Sequence, residues 1–529
     1  MSLRGVNSGA HARLLARPDV VLRKGRFTLL NQRLSPRDAT VADLVAIHDA
    51  LDAAAIQHLL VRRDDDRVVI AVDREKVSAI AAALSAAFST EPFYARVGSE
   101  PATLVAEGGL SELEHPRIVR LYRPRTTGQG GLRYGAATGV RLEFWDFAPD
   151  AIHAPAENAL MRHSLPRSEA IDATVELHGR TWSTLGGMFD MLASDVTFDI
   201  DIVFSWVDGT SSEFQRARAQ RMESYVVGDG DDSDARFRQI DELKYALRSV
   251  YLYAPWIRRI FIATDSAAPA WLADHPRVTI VRSEEFFADL DALPTHNSHA
   301  VESQLHRIEG LSEHFLYSND DMFFGRPVRP DMFFSPGGIT RFIEASTRIG
   351  LGEPNAERSG FENAARVNRA LLQRRFGRVT TRHLEHAATP LRRSVMAELE
   401  REFPEDFART AASAFRSSSD ISVTNSLYHY YALMTGRAVV QTDARVRYVE
   451  TTLANAAGEM DGILKRRGYD FFCLNDGSKP EISLAKRTRN IRSFLERYFS
   501  IPAVWEKGVS ATPSHEPALS SAVQELPAG

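Results

Sequence analysis

The chain has 529 residues, 44% hydrophobic and 25% charged, with a formal net charge of -5 and a pI near 6.4. That length predicts two folded units plus tails, and the acidic balance excludes a general nucleic-acid binder, which needs a basic excess. A single cysteine, Cys473, excludes an intrachain disulfide and fits a reducing compartment; no apolar run reaches the roughly 18 residues of a transmembrane helix.

Residues 1–38 are basic, with Arg23, Lys24, Arg26, Arg33 and Arg37, and weakly patterned. They predict a basic N-terminal arm, solvated or loosely docked, with contact to anionic lipid or a charged polymer as the sharper alternative. Arg4, Arg13 and Arg17 interrupt any signal-peptide core, so a cytoplasmic protein is expected, one that visits the inner face of a membrane at most peripherally.

Residues 39–190 predict a small α/β accessory domain. A helix over 42–55 carries Leu44, Ile47 and Leu51 on one face; strands at 58–61 and 68–72 flank the polar turn Asp64-Asp65-Asp66; a second helix covers 77–87, and strands follow at 118–122 and 140–144. This stretch holds no motif that can be tied to chemistry. From Phe198 to about residue 505, apolar strands alternate with helical stretches, which predicts a Rossmann-like α/β catalytic domain with a largely parallel sheet. Residues 508–529, rich in Ser, Ala, Pro and Glu, predict a disordered tail.

Several segments of the larger domain carry chemistry. The strand at 199–205 runs into Trp206-Val207-Asp208-Gly209, an acid and a glycine where open α/β sheets hold ligands; Trp206 is suited to a nucleobase and Gly209 to close approach by a phosphate, although an Asp-Gly turn reads the same way. Asp241 and Glu242 open a helix with Leu243, Leu247 and Val250 on its apolar stripe, as helix-capping acids or as acids at an active-site rim. The strand at 259–264 ends at Asp265. The helix over 299–309 places His299, Glu302 and His306 on about one face, which reads as a polar face bordering a cleft before it reads as a metal site. The strongest local signal is the strand running into Asn319-Asp320-Asp321 and then Met322-Phe323-Phe324-Gly325. Paired carboxylates at a strand end suit a divalent cation that shares its coordination with substrate phosphates. The strand at 471–474 repeats the theme with Asn475-Asp476.

Taken in order, these segments resemble the Stealth family of sugar-phosphate transferases, which includes exopolysaccharide phosphotransferases and a GlcNAc-1-phosphotransferase. The resemblance covers four blocks and roughly 300 residues. They are Asp201 to Gly209; about Arg236 to Pro327, with Tyr253-Ala254-Pro255-Trp256-Ile257-Arg258 and Leu293-Pro294-Thr295-His296-Asn297-Ser298-His299-Ala300; about 361–435, with His386, Phe403-Pro404-Glu405-Asp406-Phe407 and Arg416; and Phe471 to Asp476. It implies a nucleotide-sugar donor, often a UDP-hexose, a saccharide hydroxyl as acceptor, and Mg2+ or Mn2+. It also implies Asp320, Asp321, His386, Arg416, Asn475 and Asp476 as active-site positions. The family usually shows Asp-Asn where this chain has Gln239-Ile240; if that acid is catalytic in the family, Asp241 or Glu242 must take its place or the activity is altered.

The expected reaction is attack by an acceptor hydroxyl on the sugar-bearing phosphorus, with His386 as base and Arg416 clamping the phosphoryl oxygens. Asp320 and Asp321, with Asp476, are the expected metal holders, and Asp241 an added catalytic acid. Trp206, Asp208, Gly209 and Asp265, with Asn297, Ser298, His306, Arg307 and Asn475, are the expected donor and substrate contacts. A metal-dependent glycosyltransferase and a non-catalytic nucleotide-sugar-binding regulator are the alternatives. The basic segment Lys486, Arg487, Arg489 and Arg492 reads as a solvated face, or as a contact for membrane or polymer.

Overall fold

The computed structural model describes residues 9–31, 33–63, 69–111, 116–128, 131–211, 215–216, 240–477, 479–509 and 524–525. The chain forms two compact units, one running to Leu192 and the next from Ala193.

In the first unit, the strand Val140–Phe147 runs parallel to Val69–Asp73 and antiparallel to Ile118–Tyr122. Helices Pro36–Ala53 and Val77–Ala87 bury Leu44, Ile47, Leu51, Ile80 and Leu84 with Val119, Leu121 and Phe144. The first helix starts ahead of the expected residue 42 because Ser35 caps it. The Asp38 N–H donates to Ser35 Oγ at 3.1 Å, the Asp38 carboxylate accepts from the Ser35 N–H, and Pro36 fits the first turn.

The basic arm is corrected. Residues 9–30 form a helix, Gly9–Leu15, and a hairpin, Val20–Arg23 with Arg26–Leu30, turned through Lys24 and Gly25 at φ 48° and 74°. Leu14 and Phe27 are buried, so the arginines sit on the outside of packed structure rather than on a solvated tail. The turn at 64–66 and Gln239 lie outside the described residues, as does the expected tail apart from 508, 509 and the short strand Gln524–Glu525.

The second unit is built on a sheet in the order Val278–Val281, Ile260–Ala263, Ile200–Ser205, His314–Asn319, Thr389–Arg392. The first four strands are parallel and the last is antiparallel. The near-continuous burial of Ile200–Ser205, Ile260–Ala263 and His314–Asn319 is that of strands covered on both faces, whereas Val278–Val281 at the sheet's edge is only partly buried. The expected largely parallel sheet is present, and its antiparallel fifth strand makes the architecture mixed α/β. After Asn319 the chain makes no helical crossover. It turns at Asp320-Asp321 into Met322–Phe324, which joins a second sheet antiparallel to Phe471–Asn475, itself parallel to Val446–Glu450. When the chain returns to the first sheet it enters from the opposite direction.

At the amino ends of the parallel strands, Asp201 is fully buried and structural. Its carboxylate accepts from Arg258 Nε at 2.9 Å and from the Ser312 N–H at 2.8 Å. The carboxyl ends of the same strands carry the polar residues described next.

Candidate active site

Ser205 and Asn319 face each other at the carboxyl ends of adjacent parallel strands. Between them stands the Tyr317 hydroxyl, 2.7 Å from Ser205 Oγ, 2.9 Å from Asn319 Oδ1 and 3.3 Å from Glu302 Oε1. The period of two along a strand puts Tyr317 on the face of Asn319. Burial, with the Glu302 charge behind it, holds this phenol well above its ordinary range, while the nearby Arg416 guanidinium pulls the other way. Glu302 is buried, and the Thr424 hydroxyl donates to its Oε2 at 2.6 Å from a single π-helical turn, Val423–Leu427, a feature frequent at functional sites. Sequence reasoning missed Tyr317 and Thr424. Of the three residues grouped on the 299–309 helix, Glu302 faces this network, His299 stands 3.8 Å from Asp420, and His306 turns to Glu400, so they share no centre.

Arg416 belongs to the same edge, its Nη2 donating to Ser298 Oγ at 2.8 Å. Its stem lies over Gly360, where an added Cβ would come within 2.8 Å of the Arg416 side chain, so glycine leaves the space it occupies. Asn297 is brought there too, but as a clamp. Its Nδ2 donates to Asp420 Oδ2 at 2.8 Å, and its Oδ1 caps the helix Ser298–Gln304 by accepting from the His299 N–H. The Nδ2 end of this buried amide thus joins two family blocks, while the Oδ1 end holds its own helix.

The acidic turn lies where the first sheet hands the chain to the second. The Leu474 N–H donates to the Asp321 carbonyl at 3.0 Å, and the buried Cys473 thiol donates to Asp321 Oδ2 at 3.5 Å. Asp321 Oδ1 is sealed from solvent with no hydrogen-bond partner among the described residues. Burial, reinforced by the charges of Glu242 and Asp476, pushes this carboxyl up to about 6. Burial also raises the Cys473 thiol, with Asp321, Asp320 and Asp476 adding to the shift. Four acids therefore act on one buried spot.

Two of these acids differ from expectation. Asp241 is exposed at the left-handed entry to the helix Glu242–Tyr253, at φ 61°, whereas Glu242 is buried, accepts from the Ile240 N–H at 2.9 Å and acts on Asp321. The helix turns inward one residue later than the assignment to Asp241 supposes. Asp476 accepts from the Thr451 hydroxyl and lies 3.6 Å from the buried Arg487, so part of its charge is already compensated. Among the described residues, the three potential ligands that converge within 4.8 Å are His48, Asp52 and His58 in the first unit, not Asp320, Asp321 and Asp476. Mg2+ does not require such a trio, because it binds through one or two carboxylates and completes its shell with water and substrate phosphate. The unpartnered Asp321 Oδ1 fits that use.

Asn475 ends its strand opposite Glu450, and Gly477 follows closely enough that an added Cβ would overlap the Glu450 carboxylate. His386 is half-buried, its ring 5.1 Å from Tyr448 and 6.0 Å from Phe361. Tyr448 pairs with Cys473 across the parallel ladder, and paired residues in neighbouring strands project to one face. His386 thus stands on the side where Cys473 meets Asp321. Burial, and then the charge of His383, lowers His386 below its ordinary value and keeps the imidazole neutral. Its chain neighbours Glu385 and Ala387 line a shallow depression together with Phe333, Phe342, Leu384 and Thr389. Burial raises the Glu385 carboxyl.

The donor-side expectations divide. Trp206 continues the ladder through its N–H to the Ala263 carbonyl at 3.2 Å, and its indole Nε1 is buried without a partner among the described residues. Asp208 accepts from Thr210 Oγ1 at 2.7 Å, its N–H donates to Ser266 Oγ at 2.8 Å, and Gly209 beside it is buried. Asp265 is held by Ser283, whose N–H and hydroxyl donate to it at 2.8 and 2.7 Å. His306 and Arg307 do not reach this edge. Both bind Glu400, at 2.9 and 2.8 Å, and Arg393 bonds the carbonyls of His306 and Leu311 before the strand His314–Asn319 begins. Their bonds outweigh burial and draw Glu400 down to about 2. They brace the far end of the strand.

Profiles of Stealth conserved regions 1, 2, 3 and 4 match residues 198–226, 236–342, 385–433 and 461–512. The exopolysaccharide phosphotransferase CpsY of Mycobacterium tuberculosis is 60% identical over 504 residues, 95% of this chain and 94% of the relative. An exopolysaccharide phosphotransferase of Nocardia farcinica is 55% identical over 92% of this chain and 90% of its own length. Among solved structures, the galactosyltransferase LgtC, determined with donor and acceptor sugar analogues, overlaps 57% of this chain and 97% of its own at 13% identity and a TM-score of 0.29, too slight a likeness to bear on the reading. The matched regions and the strand-end site define a transferase enzyme. The chain belongs to the Stealth family, and its four conserved regions fall in the second unit's part of the sequence, save the last two residues of the fourth. No helix among the described residues is long and apolar enough to cross a membrane.

Proposed function

We propose that the second unit transfers a hexose-1-phosphate from a nucleotide sugar, a UDP-hexose or UDP-N-acetylhexosamine, to a saccharide hydroxyl. The product is a phosphodiester-linked exopolysaccharide, and UMP is released. The observation that carries this reading is the buried, partnerless Asp321 Oδ1 amid Asp320, Glu242 and Asp476, at a strand end next to Arg416's edge. An acidic site of that kind repels a diphosphate unless a cation stands between them. Asp320 and Asp321, with Glu242 and Asp476 near, are the residues that would hold Mg2+ or Mn2+. When bound, the ion neutralises diphosphate charge as the leaving group departs.

The neutral imidazole of His386 accepts the acceptor hydroxyl's proton while that oxygen forms its bond to phosphorus. The phosphorus–oxygen bond to the nucleoside monophosphate breaks, and its electron pair leaves with UMP. Arg416, positioned by Ser298 and Gly360, binds the transferring phosphoryl oxygens. Trp206 offers an indole N–H to the nucleotide beside Asp208, Gly209 and Asp265, and Asn475 lines the acidic side.

The test is the nucleotide released from a UDP-sugar with Mg2+ and an oligosaccharide acceptor. UMP, with phosphate retained in the product, supports the proposal. UDP with a phosphate-free product would replace it with glycosyl transfer.

A further inference from the structure

The first unit's segment Met1–Leu192 lies outside all four matched regions, yet it contains the one group of metal-ligating side chains that converges among the described residues. His48 and Asp52 are four residues apart on the helix Pro36–Ala53, and His58 opens the strand that follows it, His58–Val61. Donor atoms of the three lie within 4.8 Å of one another.

The hydrogen bonds settle where the protons are. His58 Nδ1 is 2.9 Å from the Ile56 carbonyl. A carbonyl only accepts, so Nδ1 carries the hydrogen and Nε2 of a neutral His58 is a lone pair. That lone pair is 2.7 Å from His48 Nδ1, which must therefore donate. His48 Nε2 is then a second lone pair, and it faces the Asp52 carboxylate at 3.7 Å with no proton between them. Two electron-rich groups are thus set against each other at the end of an ordered chain. The imidazoles are buried, whereas the Asp52 side chain is two-thirds exposed, leaving a path for an ion. The His48 ring lies against the buried Trp182 ring at 4.1 Å, which fixes its plane. The bond from His58 Nδ1 to a carbonyl is the outer contact that orients ligating histidines.

We propose that His48, Asp52 and His58 bind one transition-metal ion, for which two imidazole nitrogens and one carboxylate oxygen favour Zn2+ over Mg2+. Three protein ligands leave a fourth position to water. For one ion to take His48 Nε2, His58 Nε2 and an Asp52 oxygen at distances of about 2.0–2.1 Å, the His48 ring must turn, and the hydrogen bond that its Nδ1 now makes to His58 Nε2 is given up. The bound ion ties the helix to the strand that follows it, a clamp within the first unit that is separate from the acidic turn of the second.

The test uses the full chain in excess Mg2+, which occupies oxygen sites and leaves this one free. Titration with Zn2+, and with Co2+ followed by its tetrahedral absorption bands, should give one site per chain and a rise in melting temperature. His48→Gln should weaken binding at least about tenfold. Asp52→Asn, at an exposed position that leaves the core intact, should weaken Zn2+ binding while the metal-free melting temperature stays at the parent value. Failure of the parent chain to bind Zn2+, or binding unchanged in both variants, overturns the proposal. Transferase activity in Mg2+ reads the other unit and should be unchanged in Asp52→Asn, so the two proposals fail separately.

Discussion

Replacing Asp321 by asparagine removes a charge while keeping the side chain's shape and an oxygen for the Cys473 thiol. In the folded chain this carboxyl titrates near 6 against an ordinary 3.8. The unfolded chain therefore holds fewer protons between those values, and stability is lost as pH rises through that window. A displacement of that size corresponds to about 3 kcal/mol at pH 7.5. Without metal, Asp321→Asn should be more stable than the parent by up to about 3 kcal/mol at pH 7.5, and the advantage should vanish near pH 4. A cation on the parent carboxylate offsets most of that difference. At Mg2+ a hundredfold above its dissociation constant, linkage stabilises the parent by about 2.7 kcal/mol and leaves the variant almost unmoved. Urea unfolding in EDTA and in Mg2+, at pH 4 and 7.5, measures all of this, and the variant's transferase activity should fall with its Mg2+ response. Equal urea midpoints in EDTA at pH 7.5, or equal Mg2+ stabilisation of both proteins, would refute the reasoning.

Glu242 and Asp241 separate in the same assay. Glu242→Gln should lower activity about tenfold or more and ease Asp321 ionisation, whereas Asp241→Asn, exposed at the helix entry, should cost little; the reverse order of kcat values would return the role to Asp241. His386→Gln should cut kcat about 10²-fold. Because the neutral imidazole is the working form and burial lowers its titration below 6.5, parent activity should fall only as pH drops below that value. A variant that keeps the parent rate and acid limb removes His386 from the chemistry.

Much of the site was legible as residue types at strand ends. Apolar runs closing on Asp208, Asp265, Asn319-Asp320-Asp321 and Asn475-Asp476 mark where buried strands end, because buried strands are apolar and their exits need not be. Arg416 and Ser298, both expected among the site residues, are hydrogen-bonded to each other. Which acid turns inward was not legible. Asp241 and Glu242 are adjacent, and only a backbone entering the helix at φ 61° sends Asp241 to solvent and Glu242 toward Asp321. His306 and Arg307 sit within a matched region, yet Glu400, on a helix far along the chain, draws them to the opposite end of the strand. Nor could spacing tell that Asp476 comes to Arg487, or that the turn after Asn319 carries the chain into another sheet and makes the fold mixed. His48 and Asp52 share a helix face by their spacing of four, but His58 joins them only because the chain reverses at Ile56 and the strand packs back on the helix. Sequence by itself determined the family, the buried strands and the acids at their ends, since these follow from local periodicity and ordered motifs. Tertiary structure alone decided which acids share a spot, which cations compensate them and which polar atoms are left without a partner, because charge pairing and burial depend on distances between residues far apart in the chain.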